Sequence, residues 1–480
     1  MNIADRQLAI WLALLTFATC AYFQAGGGWN QNSQFDLTRA IVEGHTFAID
    51  AYRNTGDIAI VGHHVYSNKS PALSWIAAIP YASLYAIERG TGLDPASIEV
   101  VTFNVYLCTL VCVALPAALI AWMLYRYGRE RGFSASWSAL IALTASLATQ
   151  LLPYSTIFML HVPSGALLLF ALTTRRDPAS GLATGLATAM NYLCAPAILI
   201  FAFTRQRKGR FIAGVIPPLI LLAVYQKICF GSYLAISLSK EHERFLSKGA
   251  AFGLFNLPSA EAILGISVTP YRGFFFFAPV LAPAIGCAVA WFRTRKEMRE
   301  LMAIVLVFVI FFAINASFNG WDGGFGVGGR YLVPTIPLLA LALFRCPLKW
   351  RWMVSGLAAV SFVFNFAATA VDPQPSGTIP SPLTQYIFPL LIQGHFSPNV
   401  PITPPWSAAT FTGHTSVNRM TFDEAIVFSR HPPGSPPSEW ASFNLGEPFF
   451  GAGEALSLLP IGLVLLLGGI AIRRKARSIA

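Results

Sequence analysis

Residues Asn30 to Pro71 read NQNSQFDLTRAIVEGHTFAIDAYRNTGDIAIVGHHVYSNKSP, and the setting of this polar stretch decides the fold. It follows one apolar helix and precedes a long series of others. It carries three aspartates (Asp36, Asp50, Asp57), three histidines (His45, His63, His64) and a lysine, Lys69, just ahead of Pro71. So many ionisable groups beside a first apolar span are costly for a purely structural segment. The stretch therefore reads as the floor of an active site on the non-cytoplasmic side. Ser33 to Gly44 has helical spacing (Phe35, Leu37, Ala40, Ile41), with Asn32 or Ser33 as N-cap. The expected element is an amphipathic helix lying at the membrane interface.

The rest of the chain supplies the membrane. Of 480 residues, 55% are hydrophobic and only 11% charged, far from a soluble average. Apolar runs of about 17 to 25 residues recur, each long enough to cross a hydrocarbon core of roughly 30 Å. The alternating ten-residue strands of a membrane β-barrel are absent from the sequence. The first run, Leu8 to Phe23, has no small-residue cleavage site behind it and reads as a retained span.

The net charge of +11 does not point to nucleic acid, because its placement follows the membrane. Basic residues gather in short connections: Arg126/Arg129/Arg131, Arg175/Arg176, Arg205/Arg207/Lys208/Arg210, Arg293/Arg295/Lys296/Arg299, Arg345/Lys349/Arg351 and Arg473/Arg474/Lys475/Arg477. That is the positive-inside pattern of cytoplasmic loops. Keeping every cluster inside requires 71–88 to be a non-crossing helix. It also requires 181–203, broken at Met190-Asn191-Tyr192 and Pro196, to be a re-entrant hairpin. Crossings then fall at 7–23, 101–125, 134–150, 156–173, 211–229, 274–292, 300–317, 331–345, 352–370 and 455–472, ten in all, with both termini cytoplasmic. The fold class is all-α polytopic membrane protein. Residues 1–371 form the transmembrane catalytic domain, with a first outer loop at 24–100. Residues 372–453 form a Pro-rich, folded outer cap, and 454–480 a last helix with a basic tail. The outer loop 230–272 contains Lys240-Glu-His-Glu-Arg244. The seven cysteines lie in or beside spans, with no disulfide framework or zinc-type pair.

On this topology the unusual polar residues share one side. They are the first-loop groups, Arg272 in Thr269-Pro-Tyr-Arg-Gly-Phe274, and Asp322 and Arg330 in Asn319-Gly-Trp-Asp-Gly-Gly-Phe-Gly-Val-Gly-Gly-Arg-Tyr331. Guanidinium groups at the outer ends of spans can grip a headgroup phosphate through paired hydrogen bonds. The bland reading of each arginine, and of Lys69, is interfacial snorkelling. Three cations on one face, in loops otherwise poor in positive charge, favour an anionic lipid headgroup. Asp36 reads either as a capping acid three residues after Ser33 or as a general base. Asp57, in Asn54-Thr-Gly-Asp57, reads as a turn residue or a second base candidate. Asp50, His63, His64, Tyr66, Tyr271 and Asp322 are candidate substrate contacts. Gly324-Phe-Gly-Val-Gly-Gly329 matches a dinucleotide fingerprint but lacks the preceding strand.

The acidic, helix-forming stretch after the first span, followed by Tyr66-Ser-Asn-Lys69-Ser-Pro71, resembles the first outer loop of the GT-C superfamily of membrane glycosyltransferases. Within it, the likeness is to bacterial relatives of the protein-mannosyltransferase and aminoarabinose-transferase families. Tyr271-Arg-Gly-Phe274 and Gly328-Gly-Arg-Tyr-Leu-Val-Pro334 resemble later motifs, and the likeness covers roughly 30–340. The resemblance implies inverting transfer of one sugar from a polyprenyl-phosphate donor to a lipid, glycan or protein acceptor at a bacterial inner membrane. It implies Asp36 as base with Asp57 second, Lys69 at the donor phosphate, and Arg272 and Arg330 as further phosphate partners. Two positions depart from the family pattern. Asn30-Gln31 stands where protein mannosyltransferases carry Asp-Glu, and Asn68 stands where an acid commonly precedes the motif lysine. No cofactor is called for; a divalent metal is left open, with no ligand set assigned. Two other readings are a transporter or flippase of lipid-linked sugars and a non-catalytic partner in envelope-glycan assembly. A transporter calls for charges at mid-membrane depth and broken helices in matched halves, whereas here the ionisable groups gather in one outer layer.

Overall fold

The computed structural model describes residues 2–52, 54–240, 250–394, 396, 440–451 and 454–479. Their long elements are α1 (Ile3–Ala21), α2 (Trp29–Glu43), α3 (Ala72–Thr91), α4 (Ile98–Glu130), α5 (Ala135–Leu147), α6 (His161–Thr173), α7 (Asp177–Met190), α8 (Pro196–Thr204) and α9 (Lys208–Phe230). They continue with α10 (Pro283–Arg293), α11 (Met298–Ser317), α12 (Ile336–Leu343), α13 (Arg351–Val371) and α14 (Leu459–Ser478). Among the described residues, six helices are long and apolar enough to cross a bilayer, and six shorter apolar helices pack between them. This is a polytopic helical membrane protein, as its composition requires.

Side-chain bonds fix which helix ends lie together. Arg129 at the end of α4 donates to Asp5 at the start of α1 at 2.7 Å, and Tyr125 donates to the same carboxylate at 2.9 Å. At the other end Tyr106 reaches the Ala21 carbonyl at 2.8 Å, so α1 and α4 run antiparallel. Arg131 bonds to Glu300 at 2.8 Å and to Glu297, which also accepts from Arg345. These links bring the end of α4, the start of α11 and the end of α12 to one face. Within α4, a π-helical turn at Leu110–Ala114 precedes Pro116 and absorbs the hydrogen bond that proline cannot make.

The pair α7 and α8 forms a hairpin. Its start and finish meet at the basic end, where Arg205 donates to the carbonyls of Thr174, Ala171 and Leu172, and the Arg207 N–H reaches Asp177. Its tip turns at Asn191, whose side chain accepts from the Leu193 N–H, before Pro196 opens α8. The tip reaches the opposite end of the bundle. There the Tyr192 hydroxyl accepts from Gln226 at 2.6 Å and lies 3.3 Å from Ser237. Helix α7 lies so close to α9 that a Cβ on Gly181 would fall 1.9 Å from the Phe211 carbonyl. Small residues are what permit such a backbone approach in a membrane bundle.

Two expectations are corrected. Helix α2 starts four residues earlier than Ser33, with Gly28 as its extended N-cap residue, so neither Ser33 nor Asn32 caps it and Asp36 lies inside the helix. Nor does it float at the interface. Residues 31–40 are all buried, because the loop at 54–57, Gln374 and Trp440 cover it. Four of its polar side chains are matched: Gln31 to Gln374, Asn32 to the Asn54 carbonyl, Ser33 to the Asp57 carbonyl, and Gln34 to Asn30. Between its helices the outer loop also carries strands. Two short strands, β1 (Phe23–Gln24) and β4 (Phe443–Asn444), pair with each other, and β2 (Ile58–Val61) and β3 (His64–Ser67) form a two-residue hairpin turning at Gly62 and His63. Gly62 has φ +63°, which only glycine tolerates easily in such a turn.

Helix α3 is not among the helices apolar enough to cross, and the Tyr106–Ala21 bond brings the start of α4 back to the end where α1 finishes, so α2 and α3 make no net crossing. The described ends of the outer cap fold back onto the bundle, while its middle, and residues 241–244 of the Lys240 segment, lie outside the described residues.

Candidate active site

The β2–β3 hairpin places Lys69. Asp50 holds the hairpin from below: its Oδ1 accepts the Val65 N–H at 2.6 Å and its Oδ2 lies 2.8 Å from His64 Nδ1. Tyr66 packs edge-on against Phe230 at the end of α9. A hydroxyl relay then ties the hairpin to α2. Ser67 and Ser33 lie 2.7 Å apart, and Ser33 donates to the Asp57 carbonyl at 2.6 Å. The chain leaves this knot with Lys69 Nζ 2.9 Å from Asp57 Oδ2, and both side chains are only 13% and 15% exposed. An ion pair held this far from water has lost much hydration, so it persists only where something else sets its place.

Arg330 completes the group. The Asp57 charge reaches it, after the larger effects of burial, Tyr331 and Tyr154. Its guanidinium is loosely held: Nη2 lies 3.1 Å from the Tyr331 hydroxyl, Nη1 3.4 Å from the Phe325 carbonyl, and Nε has no partner among the described residues. Arg272 differs. It is fully buried, and its two terminal nitrogens donate to the carbonyls of Gly326 at 2.6 Å and Gly324 at 2.5 Å. It clamps the glycine-rich loop that leads to Arg330. That loop is shaped around Tyr154, whose hydroxyl donates to the Val327 carbonyl at 3.1 Å; a Cβ on Gly326, at φ +154°, would come within 2.5 Å of the same hydroxyl. No strand flanks the loop among the described residues, so it is not a dinucleotide turn.

Asp36 is fully buried on the face of α2 that also carries Arg39 and Glu43. Arg39 bonds Glu43 at 2.7 Å and stacks on Tyr52, and Tyr81 donates to the same Glu43 oxygen at 2.6 Å. Burial pushes the Tyr52 phenol well above its ordinary value, Arg39 opposes this, and Glu43 and Asp36 add to it. Asp36 thus belongs to a charged layer beside α2 with Arg39, Glu43 and Tyr52. Tyr271 and Asp322 form a separate unit, with the Tyr271 hydroxyl 2.8 Å from Asp322 Oδ2 and 2.5 Å from the Gly377 carbonyl. His63 and His64 sit exposed at the hairpin turn. Among the described residues no three His, Cys, Asp or Glu side chains gather as a metal-ligand set. All seven cysteines are free and buried.

No protein-family description matches this sequence, and no curated protein matches it either. The chain is similar to ArnT. The crystal structure of ArnT from Cupriavidus metallidurans in the apo state aligns over 79% of this chain and 68% of that one, with 15% identity and a TM-score of 0.46. The same protein bound to undecaprenyl phosphate aligns over 81% and 70%, again with 15% identity and a TM-score of 0.46.

One buried group escaped the sequence reading. His161 opens α6, is 3% exposed, and lies between Tyr154 and Tyr331 with ring centroids 5.7 and 6.0 Å away. Both Lys69 and Arg330 act on it electrostatically, and its Nδ1 has no partner among the described residues. The available signal was simple: it is the one histidine within a predicted span, and an ionisable group there is a functional candidate by default.

The assembled chemistry is an ammonium paired to one carboxylate, a loosely held guanidinium within reach of that carboxylate's field, and a buried imidazole, at one end of an apolar bundle. Such a set can exchange its internal carboxylate for the phosphate of a lipid-borne ligand.

Proposed function

We propose that this protein is an inner-membrane glycosyltransferase that moves a sugar from a polyprenyl-phosphate donor to an acceptor hydroxyl, with inversion, at the end of the bundle bearing the polar loop. That end faces the periplasm, and both termini are cytoplasmic. The observation that carries the reading is the largely buried Lys69–Asp57 pair with Arg330 beside it. In the resting protein Asp57 occupies Lys69. The donor phosphate replaces it, so Lys69 and Arg330 meet the charge that develops as the sugar–phosphate bond breaks. The acceptor oxygen attacks the anomeric carbon from the opposite face and its proton passes to a carboxylate; the leaving group is the polyprenyl phosphate. Asp36 is the first candidate base. Asp57 is the second, freed for the role when the phosphate takes its partner. Arg272 acts through the glycine loop, by holding Arg330 in place. Lipid, glycan and protein hydroxyls all fit this scheme as acceptors, and the segment 372–453, whose described residues Gln374 and Trp440 lie against α2, is the part that would select among them.

The test is transfer of labelled sugar from a polyprenyl-phosphate donor by the purified protein in lipid nanodiscs. Wild type should turn over, and Lys69→Ala should not. Donor binding without turnover across a broad donor panel would refute the enzyme and favour a carrier of lipid-linked sugars.

A further inference from the structure

The opposite end of the molecule contains a cavity of about 1020 Å³ between the ends of α4, α6 and α8 and the start of α11. One wall is apolar: Trp122, Met123 and Phe170 line it, and Phe170 is 41% exposed. Arginines and acids line the remainder, and their bonding separates them. Glu130 accepts from Arg126, Glu300 from Arg131, Glu297 from Arg131 and Arg345, and Asp177 from the Arg207 backbone N–H. Each acid in the lining is therefore committed. Arg175 and Arg299 have no acidic partner among the described residues, and Arg299 only stacks over Phe203 at 5.8 Å. Arg205 is 8% exposed and donates only to neutral carbonyls, while its Nε lacks a partner among the described residues. Asp177 and Glu300 act on Arg205 from a distance, but both already hold other donors.

The geometry points to a binding site for an anionic membrane lipid at this end, with its phosphate on Arg175, Arg299 and the buried Arg205 and its chains along Trp122, Met123 and Phe170. Three features argue for a lipid over a soluble anion. Trp122 and Met123 belong to α4, a helix long and apolar enough to cross the bilayer, and Phe170 to the shorter apolar helix α6. Arg175 and Arg299 are exposed just beyond the apolar wall, with Arg205 buried behind them. This is also the end that carries every basic cluster, and basic pockets between spans on that side select anionic headgroups. The site is separate from the Lys69 site and does not depend on the reading given to it.

The experiment is lipid exchange in nanodiscs read by native mass spectrometry. Wild type is compared with Arg175→Ala/Arg299→Ala in discs mixing phosphatidylglycerol and phosphatidylcholine, with inorganic phosphate added in a parallel arm. Both arginines are exposed, so the variant keeps its fold; thermal unfolding of both proteins in phosphatidylcholine discs checks this. Wild type should retain phosphatidylglycerol selectively, and the double variant should bind it about 30-fold more weakly. The charge-conserving Arg175→Lys/Arg299→Lys variant should recover most of the loss. Equal retention by wild type and the alanine variant would overturn the site. Displacement of the lipid by inorganic phosphate alone would overturn the lipid as occupant.

Discussion

At the residue scale, the proposed function turns on how firmly each cation is held. Arg272 and Arg330 look alike in sequence, each a guanidinium at the mouth of a span. One is locked by two short bonds to carbonyls and the other is nearly unbound. Lys69→Ala should lower kcat for sugar transfer by about 10²- to 10³-fold, the usual cost of removing one group that stabilises transition-state charge. Comparing Asp36→Asn with Asp57→Asn in the same assay assigns the base. The true base should lose about 10²-fold or more, and the other should shift mainly the donor KM. His161→Phe keeps a ring between Tyr154 and Tyr331 but removes both nitrogens. Transfer should fall at least about 10-fold with thermal stability unchanged, because the ring packing is kept and the Nδ1 removed has no partner among the described residues. An unaltered rate would leave His161 a core residue.

At the element scale, the site is held by small-residue contacts and polar knots more than by apolar packing. Helix α7 is seated against α9 through Gly181, with no room for a side chain. Gly181→Val should therefore destabilise the protein by roughly 1–3 kcal/mol or block folding. Gly209→Ala, where nothing lies within 4 Å, should be neutral or slightly stabilising. Unfolding followed in detergent distinguishes the two. The hairpin tip links this packing to the active site, since Tyr192 meets Ser237 and Ser237 donates to the Asn68 carbonyl at 2.8 Å, one residue before Lys69. Loosening α7 from α9 should thus reduce transfer before it unfolds the bundle.

At the scale of the whole molecule, charge sorts the two ends. The basic connections lie at the end where Asp5 meets Arg129, and the β2–β3 hairpin lies at the other. Single cysteines at Ser478 and at His63, both exposed positions, should label from opposite sides of the membrane with an impermeant maleimide. The native thiols, all buried, provide a low background. Labelling of both from one side would overturn the topology.

The sequence alone determined the membrane class, the broken helix at Asn191 and Pro196, the non-crossing helix after Pro71, and which loops share an end. These follow from run length, proline and glycine chemistry and charge bias, all local properties that a bilayer reads directly. It also marked Lys69 and Arg330. Only the tertiary structure decided that α2 is buried, because residues as distant as Gln374 and Trp440 cover its polar faces. Only the fold paired Asp57 with Lys69, turned Arg272 onto the glycine loop and set His161 beside the cations. The physical reason is the same in each case. Which partner satisfies a buried charge depends on chain segments brought together from far apart, and that proximity is not written in the spacing of any one segment.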